Sequence, residues 1–440
     1  MNKSFTWSFA VALAGFLFGF DTAVISGVED TLQRIWQLSD WQHGFWVMSS
    51  ALWGTVLGAV FGKFPTDKYG RKNTLFFIGI FFFVSAVGSA LATNYLMFAF
   101  FRFIGGLAVG ASTIAAPAYI TEISPAAKRG QMVALYQLSI VCGILIAFLS
   151  NYFMANSGWQ WMIGIEALPA LIYSGLVWFL PESPRWLFSM GKTKEATKSM
   201  ELLQLTDSEK QLILHPTTNE FDALIPPQSE TTDTIFSKKY RIGLALVFFI
   251  AFFNQFSGIN AILYYSKRIF IEAGFEQNAA FLGSVGIGLC NLLFTLLGMK
   301  LIDVWGRKKL MYIGSVGYIV SLFMVALAFF YNWSGYVSLT FLCLFIASHA
   351  IGQGTVIWVF IAELFPNRLR ASGQAVGSSV HWVLAAIIPL LMPLALNQIG
   401  GGGIFLFFGV MMVFQLLWVH FKMPETKGIS LEELSKKISR

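Results

Sequence analysis

Twelve stretches of this chain stay apolar for about the length needed to cross a bilayer as a helix. They lie near 7–27, 45–64, 74–92, 95–118, 132–153, 161–180, 241–265, 279–300, 309–331, 335–362, 372–396 and 401–421. Inside hydrocarbon a backbone must satisfy its own N–H and C=O groups, which leaves helices or closed barrels. Runs of this length predict an all-α membrane protein with twelve transmembrane helices. Composition agrees: only 12% of the 440 residues are charged, about half the fraction usual in soluble chains. The first run is followed by many others, so it reads as a span and not as a cleaved signal. Cys142, Cys290 and Cys343 all fall in apolar segments, and no disulfide framework is indicated.

Charge placement orients the chain. With the N-terminus inside, every Lys and Arg but Arg34, Arg102, Lys267 and Arg268 falls in or beside a cytoplasmic segment, as the positive-inside rule requires. Both termini are then cytoplasmic. The net charge of +7 follows from topology and carries no implication of nucleic acid. One long polar segment, 185–240, divides the spans six and six. Glu195, Lys198 and Glu201, with Met200 and Leu203 at helical spacing, predict short amphipathic helices there, interrupted by Pro216, Pro226 and Pro227. The expected organisation is a six-helix bundle (1–184), a cytoplasmic helical linker (185–240), a second six-helix bundle (241–421) and a cytoplasmic tail (422–440).

The halves repeat. Asp67-Lys-Tyr-Gly-Arg71-Lys72 after the second span matches Asp303-Val-Trp-Gly-Arg307-Lys308 after the eighth. Glu122, Pro125 and Arg129 match Glu363, Pro366 and Arg370, and Pro181-Glu182-Ser matches Pro424-Glu425-Thr. The order is kept across each half. Parallel repeats of six spans place a ligand site between them, near the midplane.

The seventh span carries the polar groups such a site needs: Asn254, Gln255, Asn260, Tyr264 and Tyr265. Carboxamides donate and accept at once, which suits a ligand built of hydroxyls. Asn260 and Tyr264 share a helical face, but Gln255 lies about 140° around from Asn260 on an ideal helix. Unwinding at Gly258 would let both face one cavity. The other reading of these amides is interhelical glue, since polar side chains also pair between spans. Gln137 and Asn291 are single carboxamides in apolar surroundings and favour the bundle interior. Trp358 and Trp382 offer faces on which a pyranose could stack. Trp41, Trp46, Trp159 and Trp161 sit at span ends and read as interface anchors.

These motifs together resemble a sugar porter of the major facilitator superfamily, along essentially the whole chain. The resemblance rests on Gly19-Phe20-Asp21, both Asp-x-x-Gly-Arg-Lys loops, Arg102 with Gly106 and Gly110, Pro-Glu-Ser-Pro-Arg-Trp from Pro181, the seventh-span amides and Pro-Glu-Thr-Lys-Gly from Pro424. It implies sugar contacts at Gln137, Asn254, Gln255, Asn260, Tyr264, Asn291 and Trp358, with Phe18 and Trp382 lining the same cavity. It also implies a network closing the cytoplasmic side in the outward-facing state. Its members would be Asp67, Arg71, Glu122, Arg129 and Glu182 in one half, and Asp303, Arg307, Glu363, Arg370 and Glu425 in the other. The chain departs from the pattern in four places. Asn254 replaces a second Gln. Thr355 replaces a Pro, so the tenth span is expected to kink less sharply. His381 stands where an amide is common, and His349 has no counterpart.

Asp21, Arg102 and Glu166 are the acidic and basic residues well inside spans, and counting at ~1.5 Å per residue puts all three at one depth. Two readings stay open for them: a permanent Asp21–Arg102 ion pair, or a carboxylate that loads and releases a proton. The resemblance ties Asp at this position to proton symport, with Glu166 as a secondary tuner. The function implied is secondary uptake of a monosaccharide, hexose or pentose, by alternating access with a proton. A sugar or polyol uniporter, or a non-transporting sensor, are the alternatives. No catalytic, metal-ligand or phosphate-loop constellation emerges, so no enzyme, metal or cofactor is expected, the proton being the coupling ion. The expected surroundings are the lipid bilayer of a bacterial inner membrane and the expected state a monomer.

Overall fold

The apolar runs become helices, and several of them break where the sequence offers glycine or a buried acid. The computed structural model describes residues 3–124, 128–205, 210, 211, 213 and 234–429. Among these residues the elements are helical. Ten helices are long and apolar enough to cross a membrane, or eleven when Asp40–Met48 and Ser50–Phe61 are taken as one bent span. This is a multi-pass membrane protein. The runs expected at 372–396 and 401–421 fall in one tract, Asn367–Phe421, of 55 residues. At ~1.5 Å per residue such a tract would measure roughly 80 Å, far more than the ~30 Å of a hydrocarbon core. It turns at Gly400, whose φ of 66° and ψ of 172° are not helical.

Three other interruptions shape the interior. The seventh span divides into Arg241–Phe256 and Ile259–Tyr264 around Gly258, which is left-handed with φ 86° and ψ 10°. A Cβ there would also lie 2.5 Å from the Phe408 ring. The tenth divides into Gly335–Ile351 and Gln353–Glu363 at Gly352, φ −86° and ψ −102°. The helix is therefore interrupted here without the proline, while its two limbs together, Gly335–Glu363, make one span. Thr355 instead returns its hydroxyl to the Ala350 carbonyl at 2.5 Å. The sixth span divides into Trp159–Gly164 and Ala167–Trp178, leaving Glu166 at the break.

Packing within the first half is close. The first helix, Lys3–Val24, lies along the fifth, Arg129–Phe153, so tightly that a side chain on Gly19 would strike the Ile140 carbonyl and one on Gly143 that of Phe16. Without a hydrophobic force between helices in lipid, such small-residue contact is a main source of association. In the linker, Pro184–Ser189 and Thr193–Leu202 are helical. Met200 and Leu203 are buried while Glu195, Lys198 and Glu201 face out, as their spacing predicts. Pro125, Pro216, Pro226 and Pro227 lie outside the described residues, as does the tail beyond 429.

At one end of the bundle the two halves are bridged. Lys267 donates to Asp30 at 2.9 Å and to the Gly27 carbonyl at 3.4 Å. Arg268 reaches Gln33 at 3.1 Å and Glu29 at 3.7 Å, and Asn397 bonds Asp40. At the opposite end, among the described residues, the partners of Arg71 and of Arg307 each belong to one half.

Candidate functional site: a seventh-span amide cluster beside a buried charge group

Gly258 does what unwinding at this position would require. With the helix interrupted, Gln255 and Asn260 meet: the Asn260 amide donates to Gln255 Oε1 at 2.8 Å. Gln255 Nε2 in turn donates to Asn254 Oδ1 at 2.9 Å and lies 3.1 and 3.2 Å from the two ring nitrogens of His381. A neutral imidazole has one bare nitrogen to accept that bond. Aromatic rings continue the wall. His381 packs on Trp358 at 5.2 Å and Trp382 at 4.9 Å between ring centroids, and Trp382 meets Phe18 of the other half at 5.6 Å. Amides with unspent donors and acceptors, set among aromatic faces, can hold hydroxyls while a ring stacks.

Some expected contacts stand apart. Gln137 is half-buried on the fifth span. Asn291 is buried on Gln277–Trp305 and accepts a 3.4 Å bond from Thr295. Among the described residues no hydrogen bond joins either to the Gln255 cluster, although their helices pack together where Gly288 meets Leu145 and Phe148. Tyr264 shares a helix with Asn260, but its phenol contacts Thr22 and lies in the field of Asp21 and Arg102. One short helix thus carries both an amide of the cluster and a phenol beside the charges. Trp159 packs against Trp36 at 5.7 Å, while Trp41 and Trp161 are exposed, as interface anchors would be.

The three intramembrane charges do converge. Arg102 Nη1 bonds the Asp21 carboxylate and Nη2 reaches the Asp21 carbonyl at 3.1 Å. Glu166 interacts with both. All three are buried, and Glu166 Oε1 and Arg102 Nε have no hydrogen-bond partner. Two carboxylates share one guanidinium, so the group has one acid more than its cation neutralises. A buried excess charge is costly, which gives the cluster a reason to carry a proton.

The loop charges form two matching networks. Arg71 pairs with Asp67 at 3.2 Å and Glu122 at 2.9 Å, and Arg307 with Asp303 at 3.5 Å and Glu363 at 2.7 Å. Glu182 accepts the backbone N–H groups of Arg71 and Lys72 at the start of one helix, and Glu425 those of Arg307 and Lys308. Ser183 closes on Glu122 as Thr426 does on Glu363 at 2.6 Å. A carboxylate on the first amides of a helix satisfies orphan donors and complements the dipole. Burial pushes the Glu182 carboxyl up despite those bonds. Burial also works to raise Glu425, which is more exposed, but there the backbone donors win and hold it below its usual value. Arg370 bonds the Ala362 carbonyl at 3.0 Å, and Arg129 opens the helix of the fifth span.

Sequence reading missed several polar partners. Glu29 and His43, buried and 2.9 Å apart, lie just beyond the first span and just before the expected start of the second. Gln353, Gln415 and Ser315 are fully buried behind the amide cluster. Gln415 stands alone in Val-Phe-Gln-Leu-Leu, the same signal that singled out Gln137 and Asn291. His349 pairs with Tyr318 at 2.5 Å.

The chain belongs to the sugar (and other) transporter family, whose model matches residues 7–437. Among its relatives is a D-xylose transporter of Levilactobacillus brevis, 35% identical over 99% of this chain and 95% of that one. Another is an arabinose-proton symporter of Bacillus subtilis, 34% identical over 98% and 94%. The fold is similar to that of the xylose transporter XylE of Escherichia coli in a partially occluded inward open conformation. The TM-score is 0.85 at 30% identity, covering 98% of this chain and all of the other. Family and relatives are transporters, not enzymes.

Proposed function

We propose that this protein carries a monosaccharide, a pentose or hexose, across a bacterial inner membrane together with a proton. The observation that carries the reading is that one short helix, Ile259–Tyr264, serves two unlike groups. Its Asn260 belongs to the Gln255–Asn260–His381 amide cluster, which can bind hydroxyls, and its Tyr264 lies in the field of Asp21 and Arg102. Sugar held by the first group would be felt by the second. A change in the distance between Asp21 and Arg102 alters the balance of burial and ion pairing at the carboxylate, and so its proton affinity. The bridged end, at Lys267 and Arg268, is the periplasmic side in this proposal, since the opposite end carries the excess of Lys and Arg. The segments 1–184 and 241–421 are the two moving bundles, with 185–240 and 422–440 cytoplasmic. The Arg71 and Arg307 networks would join across the halves when that end closes. The unit is a monomer surrounded by lipid, with no nucleic acid, metal or other cofactor.

The test is Asp21→Asn in proteoliposomes. The substitution removes the titrating group but keeps the shape, so accumulation driven by a pH gradient should disappear while sugar–sugar counterflow survives. A mutant that still concentrates sugar against its gradient would remove Asp21 as the proton carrier. A parent protein that exchanges sugar but gains nothing from a pH gradient would be a uniporter, with Asp21–Arg102 a permanent ion pair.

A further inference from the structure

Behind the amide cluster a line of hydrogen bonds leaves the cavity and ends on a backbone carbonyl. Ser315, on Arg307–Phe330, donates to the Met311 carbonyl at 2.7 Å. Its oxygen is then free to accept, and Gln415 Nε2 donates to it at 2.8 Å. Gln415 Oε1 accepts from Gln353 Nε2 at 2.9 Å. Gln353 Oε1 accepts from Asn254 Nδ2 at 3.5 Å, the longest link. Asn254 Oδ1 accepts from Gln255 Nε2, and Gln255 Oε1 from Asn260 Nδ2. Every amide points its NH2 the same way, toward Ser315.

An amide is a donor at one end and an acceptor at the other, so reversing one member forces its neighbours to reverse. All the members except Asn260 are buried, where an unmatched pair of like ends is expensive. The line therefore has two self-consistent polarities. In the observed one, the serine proton is committed to Met311 and Asn260 Oδ1 is left for the cavity. In the reverse, serine donates to Gln415, Gln255 donates to Asn260, and Asn260 shows the cavity its NH2. Two contacts favour the observed sense: Gln255 presents N–H groups to a His381 ring nitrogen, and Gln353 Nε2 also donates to the Ile250 carbonyl at 3.5 Å.

We infer that Ser315, Gln415 and Gln353 are positioning residues that set the hydrogen-bonding polarity of the substrate site, so that Asn260 turns its Oδ1 to the sugar and the hydroxyl that meets it there acts as a donor. This rests on the monosaccharide reading and deepens it. Asn254 is accordingly a member of the line that orients Gln255, with both ends of its amide spent on protein partners. Gln353 and Gln415 replace any direct call on sugar there. The seventh span, the break of the tenth, the limb after Gly400 and the ninth span each contribute a member.

The experiment compares each hydroxyl of the sugar with its deoxyfluoro replacement, which keeps size and weak acceptor character but cannot donate. Counterflow affinity is measured in proteoliposomes for D-xylose, D-glucose and their singly fluorinated derivatives. In the parent, fluorine at one ring position should weaken affinity about tenfold or more, near the worth of one hydrogen bond. Ser315→Ala removes one of the groups that fix the sense, His381 and the Ile250 carbonyl remaining, so that penalty should shrink, with maximal counterflow of the parent sugar little changed. Ser315→Thr keeps the hydroxyl and should restore the parental pattern. The double variant Q353L/Q415L cuts the line between Ser315 and Asn254, leaving Asn254 Nδ2 without its acceptor, and should shrink the penalty at least as far as Ser315→Ala does. A fluorine penalty equal to the parent's in folded Ser315→Ala and in Q353L/Q415L would overturn the inference while leaving the transport reading intact. A parent that exchanges neither sugar would overturn both.

Discussion

Replacing Lys267 by Met should loosen the bridged end of the bundle. Lys267 is nearly inaccessible (3%) and donates to Asp30 and to the Gly27 carbonyl, both on the other half. These bonds exist only while the halves are closed here, so they stabilise one state of the transport cycle and not the other. A charge-assisted hydrogen bond contributes about 1.5–3 kcal/mol. The lower part of that range applies, because Asp30 is a quarter exposed and also meets Arg34 at 3.5 Å. Met also gives up the ammonium's place 4.9 Å over the Phe281 ring, while Arg268 still reaches Glu29 and Gln33. A net loss of about 1–2 kcal/mol shifts the ratio of closed to open by roughly 5- to 30-fold. Spin labels at the exposed Ile35 and Ile399, after Cys142, Cys290 and Cys343 are replaced, would report the separation across this end. The long-distance population should rise in Lys267→Met and stay near the parent's in Lys267→Arg. An unchanged distance distribution in the Met variant would mean the bridge does not hold the halves.

Three further outcomes follow from particular contacts. Gly258→Ala places a methyl 2.5 Å from Phe408 on a residue at φ 86°, where a side chain costs about 1–2 kcal/mol before the clash is counted; weakened sugar affinity with retained fold is expected, and parental affinity would show that the break is not needed. Gln255→Ala removes the centre of the amide cluster and should weaken sugar binding by about 1–3 kcal/mol in calorimetry; equal affinity in a folded variant would exclude the seventh-span site. Glu425 is held below its ordinary value of 4.5 by backbone donors that outweigh burial. Its stabilising contribution is full above that value and is lost as pH falls through the lower folded one. Glu425→Gln should therefore flatten the acid-side fall in melting temperature below about pH 4.5, and identical slopes would refute the assignment.

Legibility differed between the parts of the site. Asp21, Arg102 and Glu166 could be grouped from the chain because depth in a membrane is a one-dimensional quantity, counted in residues from the span end. Equal depth made their meeting possible, and the rotation of the helices about their axes, which the structure supplies, made it actual. Gln255 and Asn260 were legible once Gly258 was suspected, since a break was the one way to bring opposite faces together. Tyr264 was assigned to the amides by helical spacing, yet it contacts Thr22 beside Asp21. Gln353, Gln415 and Ser315 could be seen as isolated polar residues, but nothing local says which of three distant helices answers which.

What the sequence determined by itself is the architecture. Long apolar runs must be helical because lipid offers backbone groups no partner. The charged loop motifs recur in order, and the distribution of Lys and Arg separates the two sides. These are properties of composition, length and order. What tertiary structure decided is direction and choice of partner. The third dimension made Asn254 a link to Gln353, joined Glu29 to His43, and bent one 55-residue helical tract at Gly400. An amide has two ends and several neighbours within reach. Only the packed bundle decides which acceptor such a buried donor meets, and that selection is made by all the helices at once.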